Sequence, residues 1–325
     1  MRRRPFLQRA ACAAAVLACS GLALAQGAFP TRPITLVVPN PPGGLVDTSA
    51  RLVGDSLTKV LGQTIIVDNR GGASGNVAYG IVARAQPDGY TLLTSYSAYH
   101  VGNPWLMPKL PWQQKDFTPV ALVTVATNVI TAHPSVPAAN LQEFIAYLKK
   151  NPGRLSYASQ GNGSVSHIGT EMFKAQTGTS MVHIPYKGSG DAIRDVLSGQ
   201  VQVFMSTPPS VMQHVQNGKL KAFAVTGKTR HPGLPNVPTT AEAGLKGFEL
   251  ESWVAIFAPA GTPPDVVQKL SSGIQQALAT PEAKSRADAA GIEIRYLPPA
   301  ALGEMVKQET AFWGRTIKEQ HITAD

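Results

Sequence analysis

Short runs of β-branched and other apolar residues alternate with helical patterns along most of this sequence. The first run, Ile34 to Val38, has the length and composition of a buried strand, and Val53 and Leu57 follow it at helical spacing. The same alternation restarts at Val129 to Ala132 and continues as far as Lys221 to Thr226. Strands that alternate with helices are typical of a parallel sheet covered by helices. We therefore predict an α/β protein with two lobes and a cleft between them.

The N-terminus has the composition of an export signal. Four arginines within the first nine residues precede an apolar run from Ala10 to Leu24, and residues 23–25 fit a small-x-small cleavage site. Because this run is shorter than the roughly 20 residues of a transmembrane helix, we predict a signal peptide at residues 1–25. Two alternatives stay open: Arg3-Arg4 resembles a twin-arginine export signal, and Cys19 is a lipoprotein acceptor with a poor match before it.

The predicted leader changes what composition says about the mature chain. Both cysteines, Cys12 and Cys19, lie within it, so thiolate metal sites, iron–sulfur clusters and cysteine nucleophiles are excluded after cleavage. The formal net charge of +9 includes the leader arginines, and the other basic residues are scattered singly. Because nucleic-acid binding requires a clustered basic surface, we predict no nucleic-acid partner.

Two segments share the order strand, glycine-rich turn and helix start. The first turn runs from Asn40 to Gly44 and the second from Ser159 to Ser164. Glycines let backbone N–H groups approach a ligand closely, and the unpaired N–H groups and dipole of a helix N-terminus attract an anion. Ligands of α/β sheets bind at the carboxyl ends of strands, where both turns fall. Two such turns facing each other across a cleft would hold a carboxylate without an arginine.

Each turn also has a purely structural interpretation. Asp47 suits the first turn of its helix and a pair with Arg51 four residues later. Ser164 suits an N-cap, and His167 suits a histidine at a helix start or in the core. The residues alone leave a ligand site and a simple connection equally open.

Sequence signatures of enzymes are missing. No serine has glycine at both the −2 and +2 positions, as a nucleophile elbow requires. The tripeptide Gly227-Lys228-Thr229 lacks the leading glycine of a phosphate-binding loop, because Ala222 stands there. The histidines show no metal-ligand spacing. We therefore predict a protein without enzymatic activity, metal or cofactor; a periplasmic hydrolase or isomerase is the alternative.

Motifs in a fixed order give the sequence a family resemblance. They include Pro41-x-Gly43-Gly44-x-x-Asp47, Asn69-Arg70-x-Gly72, Pro87-Asp88-Gly89-Tyr90, Gly161-x-Gly163-Ser164-x-x-His167, His183-Ile184-Pro185-Tyr186-Lys187-Gly188 and Ala258-Pro259-Ala260-Gly261. The chain resembles the Bug family, the substrate-binding proteins of tripartite tricarboxylate transporters, over essentially its whole mature length.

This resemblance implies a two-lobed periplasmic-binding-protein fold of the Venus-flytrap kind, with a ligand cleft between the lobes. It implies one lobe from residues 28–128 and 234–325 and a second from 129–233. The expected function is to capture a small carboxylate and deliver it, unchanged, to the membrane subunits of a tripartite tricarboxylate transporter. A membrane sensor is the alternative recipient. We expect a periplasmic monomer.

The resemblance also assigns the two turns to ligand binding. The predicted ligand-binding residues are Asn40, Pro41, Pro42, Gly43, Gly44, Asp47, Ser95, Tyr96, Ser159, Gly161, Asn162, Gly163, Ser164, His167 and Tyr186. The stretch Thr94 to His100 departs from the family pattern, because many members carry small polar residues there. Tyr96 or Tyr99 could stack on an aromatic carboxylate, and ordinary packing beside the sheet is the alternative.

Overall fold

The computed structural model describes residues 29–323. The predicted signal peptide, with its twin-arginine and lipoprotein alternatives, lies outside the described residues. Within residues 29–323, no helix combines the length and apolar character needed to cross a bilayer. The same residues contain no group of three or more His, Cys, Asp or Glu side chains that could hold a metal ion.

Strands and helices alternate as the sequence predicts. The strands are β1 (Ile34–Val38), β2 (Ile65–Asn69), β3 (Thr91–Tyr96), β4 (Phe117–Thr127), β5 (Val129–Ala132), β6 (Ser156–Ser159), β7 (Val182–Pro185), β8 (Val203–Ser206), β9 (Lys221–Val225), β10 (Glu251–Pro259) and β11 (Glu293–Leu297). The helices are α1 (Leu45–Leu61), α2 (Asn76–Ala83), α3 (Asn103–Leu106), α4 (Leu141–Lys150), α5 (Val165–Thr177), α6 (Ser189–Leu197), α7 (Pro208–Gln216), α8 (Pro264–Ala279), α9 (Pro281–Ala290) and α10 (Pro299–Glu319).

The strands form two sheets, and each sheet is the centre of one α/β lobe. The six-stranded sheet of lobe 1 has the order β11-β4-β10-β3-β1-β2, and the five-stranded sheet of lobe 2 has the order β7-β6-β8-β5-β9. Lobe 1 therefore combines strands from both ends of the chain, and lobe 2 contains the strands between them. The residue numbers at which the lobes divide stay a prediction.

The prediction of parallel sheets is wrong for part of each lobe. Strand β1 pairs in parallel with β2 and β3, but β10 is antiparallel to both β3 and β4. Strand β5 is likewise antiparallel to β8 and β9. Consecutive strands β4 and β5 lie in different sheets, so no helical crossover within one sheet fixes their direction. Sequence patterns also did not predict β4, which contains Pro119 and lies between β10 and β11.

The chain passes between the lobes at a buried hydrogen-bonded crossing, here called the hinge. The N–H of Asn128 donates to Oγ1 of Thr226 at 2.8 Å, and the N–H of Thr226 donates to the carbonyl of Asn128 at 2.8 Å. The Thr226 hydroxyl also donates to the carbonyl of Leu250 at 2.5 Å. These bonds hold together the segments that connect the two sheets.

Candidate functional site

The first turn follows β1 and takes its shape from Asp47. The buried Asp47 carboxylate accepts the N–H of Gly43 at 3.1 Å and the amide of Asn69 at 3.0 Å. It also accepts two bonds from Arg51, at 3.1 and 3.0 Å, and this pairing raises the pKa of the guanidinium. The ion pair of the structural interpretation is therefore present, and the Asp47 side chain is committed to the turn itself.

The first turn meets lobe 2 at two glycine contacts. Gly44 is buried at the start of α1, and a methyl group on it would lie 2.7 Å from Oγ of Ser189. A methyl group on Gly188 would lie 2.8 Å from Cδ of Pro41. Pro42 and Gly43 are exposed beside this contact. The lobes are therefore closed against each other at the first turn, and the glycines make this approach possible.

The second turn follows β6 and uses its own side chains to hold its backbone. The N–H of Gly161 donates to Oγ of Ser159 at 3.1 Å, and the N–H of Gly163 donates to Nδ1 of His167 at 3.2 Å. Gly161 and Gly163 have φ values of +114° and +74°, which side-chain-bearing residues rarely adopt. These bonds fix the shape of the turn, and they direct both glycine N–H groups at Ser159 and His167.

A stack of three rings in lobe 2 supports the second turn. His167 stacks on His183 with ring centroids 4.2 Å apart, and His183 stacks on Tyr157 at 4.8 Å. Nε2 of His183 lies 2.7 Å from Oγ of Ser159. Burial, with the nearby His167 and Lys174, lowers the pKa of His183 to about 3, so this ring is neutral at pH 7. Because Nδ1 of His167 accepts the N–H of Gly163, that ring also serves as a support.

Helix capping accounts for Ser164. Its Oγ accepts the N–H of His167 at 3.3 Å as the N-cap of α5, and it lies 3.0 Å from Oγ of Ser166. The structural interpretation of Ser164 is therefore present in the fold. The N-cap also places the N-terminus of α5 directly behind the second turn.

Two tyrosines of lobe 1 reach the second turn across the cleft. The Tyr96 hydroxyl donates to Oε1 of Gln160 at 3.3 Å, and the Tyr99 hydroxyl donates to the Gln160 carbonyl at 3.2 Å. Asn40 joins them, because its Nδ2 donates to the Tyr99 hydroxyl at 3.3 Å. Burial raises the pKa of both tyrosines, to about 12 for Tyr99. Both rings are buried between the lobes, 5.2 Å apart at their centroids.

Ser95 lies beside Tyr96 on β3 but points to the opposite face, as successive strand residues do. Its hydroxyl lies 2.8 Å from that of Tyr79 in the lobe 1 core. Of these two neighbouring predictions, only the Tyr96 side chain contacts lobe 2 at Gln160.

A cavity of about 220 Å³ lies between the lobes beside the second turn. It is lined by Pro39, Gly72, Ala73, Ser74, Gly75, Tyr99, Gln160, Gly161, Asn162, Pro185, Tyr186 and Lys187. Three of the predicted site residues, Gly161, Asn162 and Tyr186, are therefore brought together here. The Tyr186 hydroxyl donates to Asp195 at 2.7 Å, and burial together with this carboxylate raises its pKa to about 12.

A larger cavity, of about 830 Å³, adjoins the hinge. Thr127, Arg230 and Glu251 are among its lining residues, and none of the predicted site residues is. Of these two cavities, only the smaller one borders a glycine-rich turn.

Sequence reasoning missed the residue that connects most of the site. Gln160 is buried, and its Nε2 donates to Oγ of Ser189 at 2.7 Å and to Oγ of Ser206 at 3.3 Å. Gln160 lies within the predicted turn. No sequence motif, however, distinguishes a glutamine that bridges two lobes from a glutamine that is exposed to solvent. Ser189 was missed for the same reason.

Comparison with known proteins places this architecture in a family. Residues 49–322 match the family described as Tripartite tricarboxylate transporter family receptor. The protein BugT of Bordetella pertussis is 34% identical over 307 residues, which is 93% of this chain and 94% of BugT.

Solved structures share the whole fold. The periplasmic binding protein BugD is 36% identical, with a TM-score of 0.87 over 91% of this chain and 99% of that one. An R. palustris protein solved with adipate is 33% identical, with a TM-score of 0.88 over 91% and 99% of the two chains. MatC from Rhodopseudomonas palustris with bound malate is 34% identical, with a TM-score of 0.84 over 89% and 100%. The predicted two-lobed periplasmic-binding-protein fold is confirmed.

Proposed function

The chain belongs to the tripartite tricarboxylate transporter receptor family, a family of substrate-binding receptors rather than enzymes, and we propose that it captures a small carboxylate between its lobes. One observation carries this proposal: each lobe has a glycine-rich turn at the start of a helix, and each of these turns contacts the opposite lobe beside the cleft. The first turn abuts Gly188 and Ser189 of lobe 2, and the second accepts bonds from Tyr96 and Tyr99 of lobe 1.

The anion would be held by backbone rather than by a fixed cation. The N-terminus of α1 carries no side-chain cap at Gly44, so its N–H groups and dipole suit a carboxylate. This N-terminus lies at the contact of Gly44 with Ser189, whereas Gly161 and Asn162 of lobe 2 line the cavity. Asp47, Ser159, Ser164 and His167 hold these turns in shape, so we assign them a positioning role.

Closing of the lobes would exclude water and strengthen each polar contact in the site. Hinge closure around a ligand is a recurrent motion of such two-lobed proteins. The bonds from Tyr96 and Tyr99 to Gln160 can form only when the lobes are together, so they favour the closed form. Ligand binding and closure would in this way stabilise each other.

We further propose that the mature chain works in the periplasm and hands its ligand to membrane subunits of a tripartite transporter. The leader-like residues 1–25 and the similarity to BugD, a periplasmic binding protein, support this location. A membrane sensor that recognises the closed form is a second recipient. Deleting the gene and following uptake of the ligand against induction of its catabolic genes separates transport from sensing.

The ligand is proposed to be an aliphatic or aromatic carboxylate. Relatives solved with adipate and with malate support an aliphatic acid. Tyr99 lines the cavity, which supports an aromatic acid, because a ring face suits a ring.

A thermal-shift screen of the mature chain against aliphatic and aromatic carboxylates tests the proposal. A ligand that binds only the folded protein raises its melting temperature by mass action. We expect a shift confined to one class of acid, with the ligand recovered intact. No shift with any acid, or conversion of the ligand to a product, would contradict carboxylate capture.

A further inference from the structure

Lobe 1 exposes two large aromatic side chains at helix α10. Trp105 of α3 is 53% exposed and Phe312 of α10 is 43% exposed. The Trp105 ring is nonetheless fixed in place, because its Nε1 donates to the carbonyl of Thr310 at 3.0 Å and a methyl group on Gly314 would lie 2.5 Å from it. The two rings therefore flank the solvent-exposed side of α10. A single exposed apolar residue is ordinary, but two rings beside one helix indicate an interaction surface.

The exposed side of α10 is basic towards its C-terminus. Arg315 and Lys318 are exposed there, and residues three positions apart are neighbours on a helix surface. Neither has an ion pair with any residue among 29–323. The exposed acidic residues of this helix are Glu304, which pairs with Lys307, and Glu319. Within the described part of the chain, two unpaired basic groups of α10 thus stand against one unpaired carboxylate.

The segment after α3 adds two basic groups beside Trp105. Lys109 is exposed four residues after Trp105, and Lys115 is exposed where the preceding glutamine donates through Nε2 to Oγ1 of Thr310 at 2.9 Å. Neither lysine has an ion pair with the residues that the structure describes, and Asp116 is the neighbouring carboxylate. Basic residues that are scattered singly in the sequence are therefore collected by the fold. We call Trp105, Phe312 and these four basic residues the lobe 1 face.

The lobe 1 face adjoins the edge of the cleft. Nδ2 of Asn103, at the start of α3, donates to the carbonyl of Ser74, which lines the smaller cavity. Leu106, the neighbour of Trp105, lies against the second turn of lobe 2, because a methyl group on Gly163 would lie 3.4 Å from its Cδ1. A surface bound at Trp105 would therefore lie close to the edge of the cleft.

We propose that the lobe 1 face docks the protein on an anionic lipid bilayer, with its two rings at the level of the headgroups. Tryptophan rings are favoured at membrane interfaces, and each lysine or arginine near the surface adds attraction to anionic lipid. No residue of this face lines either cavity described above. Charges at the ends of long side chains on a convex helix suit a lipid layer better than a shaped partner.

Docking through lobe 1 would leave lobe 2 free to move. Hinge closure and opening could then take place at the membrane surface, where the membrane subunits would receive the ligand. This proposal goes beyond carboxylate capture, because it does not depend on which acid the cleft holds.

Cosedimentation of the mature chain with lipid vesicles tests the proposal. One set of vesicles combines phosphatidylglycerol with phosphatidylethanolamine, and the other contains phosphatidylcholine alone. We expect at least about tenfold tighter binding to the anionic set, weakening as salt is added, because salt screens exposed charges. The double variant Arg315→Gln/Lys318→Gln should lower binding to anionic vesicles about tenfold. Trp105→Ala and Phe312→Ala should each lower it roughly threefold or more.

Lys149→Gln/Lys150→Gln is the matched control, because it also removes two exposed basic residues near the end of a helix, α4 of lobe 2. It should bind anionic vesicles as the wild type does. Equal losses in the two double variants would indicate general attraction of a basic protein and overturn the docking face. Binding to neither set of vesicles would also overturn it, and would favour a membrane protein as the partner of this face.

The thermal-shift screen separates this proposal from the proposed function. All these variants should keep the shift that the wild type shows with a carboxylate, since none of the changed residues lines the cavity. Binding to anionic vesicles without a shift by any acid would contradict carboxylate capture and leave the docking face standing.

Discussion

The Tyr99 hydroxyl donates a hydrogen bond to the backbone carbonyl of Gln160 at 3.2 Å, and these two residues belong to different lobes. Asn40 in turn donates to the Tyr99 hydroxyl at 3.3 Å, so the first turn, the tyrosine and the second turn form one chain of hydrogen bonds. This chain exists only while the cleft is closed. The geometry therefore couples the two proposed carboxylate-binding turns to the position of the lobes.

Removing that hydroxyl should weaken closure. In Tyr99→Phe the Gln160 carbonyl loses its donor in the closed form, at a cost of about one hydrogen bond. We expect the affinity for the best carboxylate of the thermal-shift screen to fall roughly three- to tenfold. Titration calorimetry measures this loss. Tyr147→Phe, on α4 of lobe 2 and outside the cavity lining, is the control; equal affinities in both variants would contradict the coupling.

A methyl group between the lobes should obstruct closure without disturbing either lobe. Gly188 has φ 173°, an extended conformation open to any residue, but a methyl group there would lie 2.8 Å from the rigid ring of Pro41. We expect Gly188→Ala to lower carboxylate affinity by about tenfold or more while the melting temperature without ligand changes little. The affinity is measured by calorimetry and the stability by thermal unfolding.

Gly190→Ala provides the matched comparison two residues further along α6. A methyl group there meets only the carbonyl oxygen of Pro42, at 3.8 Å, which is an ordinary contact. Its affinity should equal that of the wild type. If Gly188→Ala binds as well as Gly190→Ala, the close approach of Pro41 and Gly188 has no part in ligand binding.

Asp47 should be essential to the shape of the first turn. Asp47→Ala leaves the N–H of Gly43 and the amide of Asn69 without their acceptor and breaks the pair with Arg51. Because the carboxylate is buried, we expect the free energy of unfolding in urea to fall by about 3 kcal/mol. Asp265→Ala, an exposed acidic residue in the first turn of α8, should cost less than about 1 kcal/mol. A similar loss in both variants would contradict the role of Asp47.

His100 should make stability depend on pH below neutrality. Its ring stacks on Phe257 at 4.3 Å, and burial lowers its pKa from 6.5 to about 3. Between these values the unfolded chain binds a proton that the folded chain does not, so stability decreases as the pH falls from 6.5 towards 3. We expect this residue alone to remove about 2 kcal/mol between pH 7 and pH 5.

Urea unfolding of the wild type and of His100→Phe at both pH values measures that contribution. The change in the free energy of unfolding between the two pH values in the variant is subtracted from the same change in the wild type. The variant should lose about 2 kcal/mol less than the wild type over this interval. Parallel losses in the two proteins would show that His100 does not titrate differently on folding.

Local patterns were sufficient for much of the fold. The predicted strands Ile34–Val38 and Val129–Ala132 have the bounds that the structure gives to β1 and β5. Gly62 ends α1 in the left-handed conformation, at φ +66°, as a helix-terminating glycine does. Such features depend on residues a few positions apart, so they can be predicted directly from the sequence.

Strand direction and the contacts of the site could not be predicted from local sequence patterns. Strand β10 pairs with β3 and β4 across more than a hundred residues, and nothing local fixes its antiparallel direction. Ser95 and Tyr96 were predicted together, although adjacent strand residues must face opposite sides. Only the pleat of β3 within the folded sheet decides which one reaches lobe 2.

The sequence by itself determined the two α/β units, the glycine-rich turns and the family resemblance, because these follow from short-range patterns and ordered motifs. The tertiary structure alone decided that Gln160 bridges the lobes, that Gly188 meets Pro41, and that Lys187 lines a cavity. These contacts join residues far apart in the chain, 61 positions in the case of Tyr99 and Gln160. Their existence depends on how two separately packed lobes close, which no local pattern encodes.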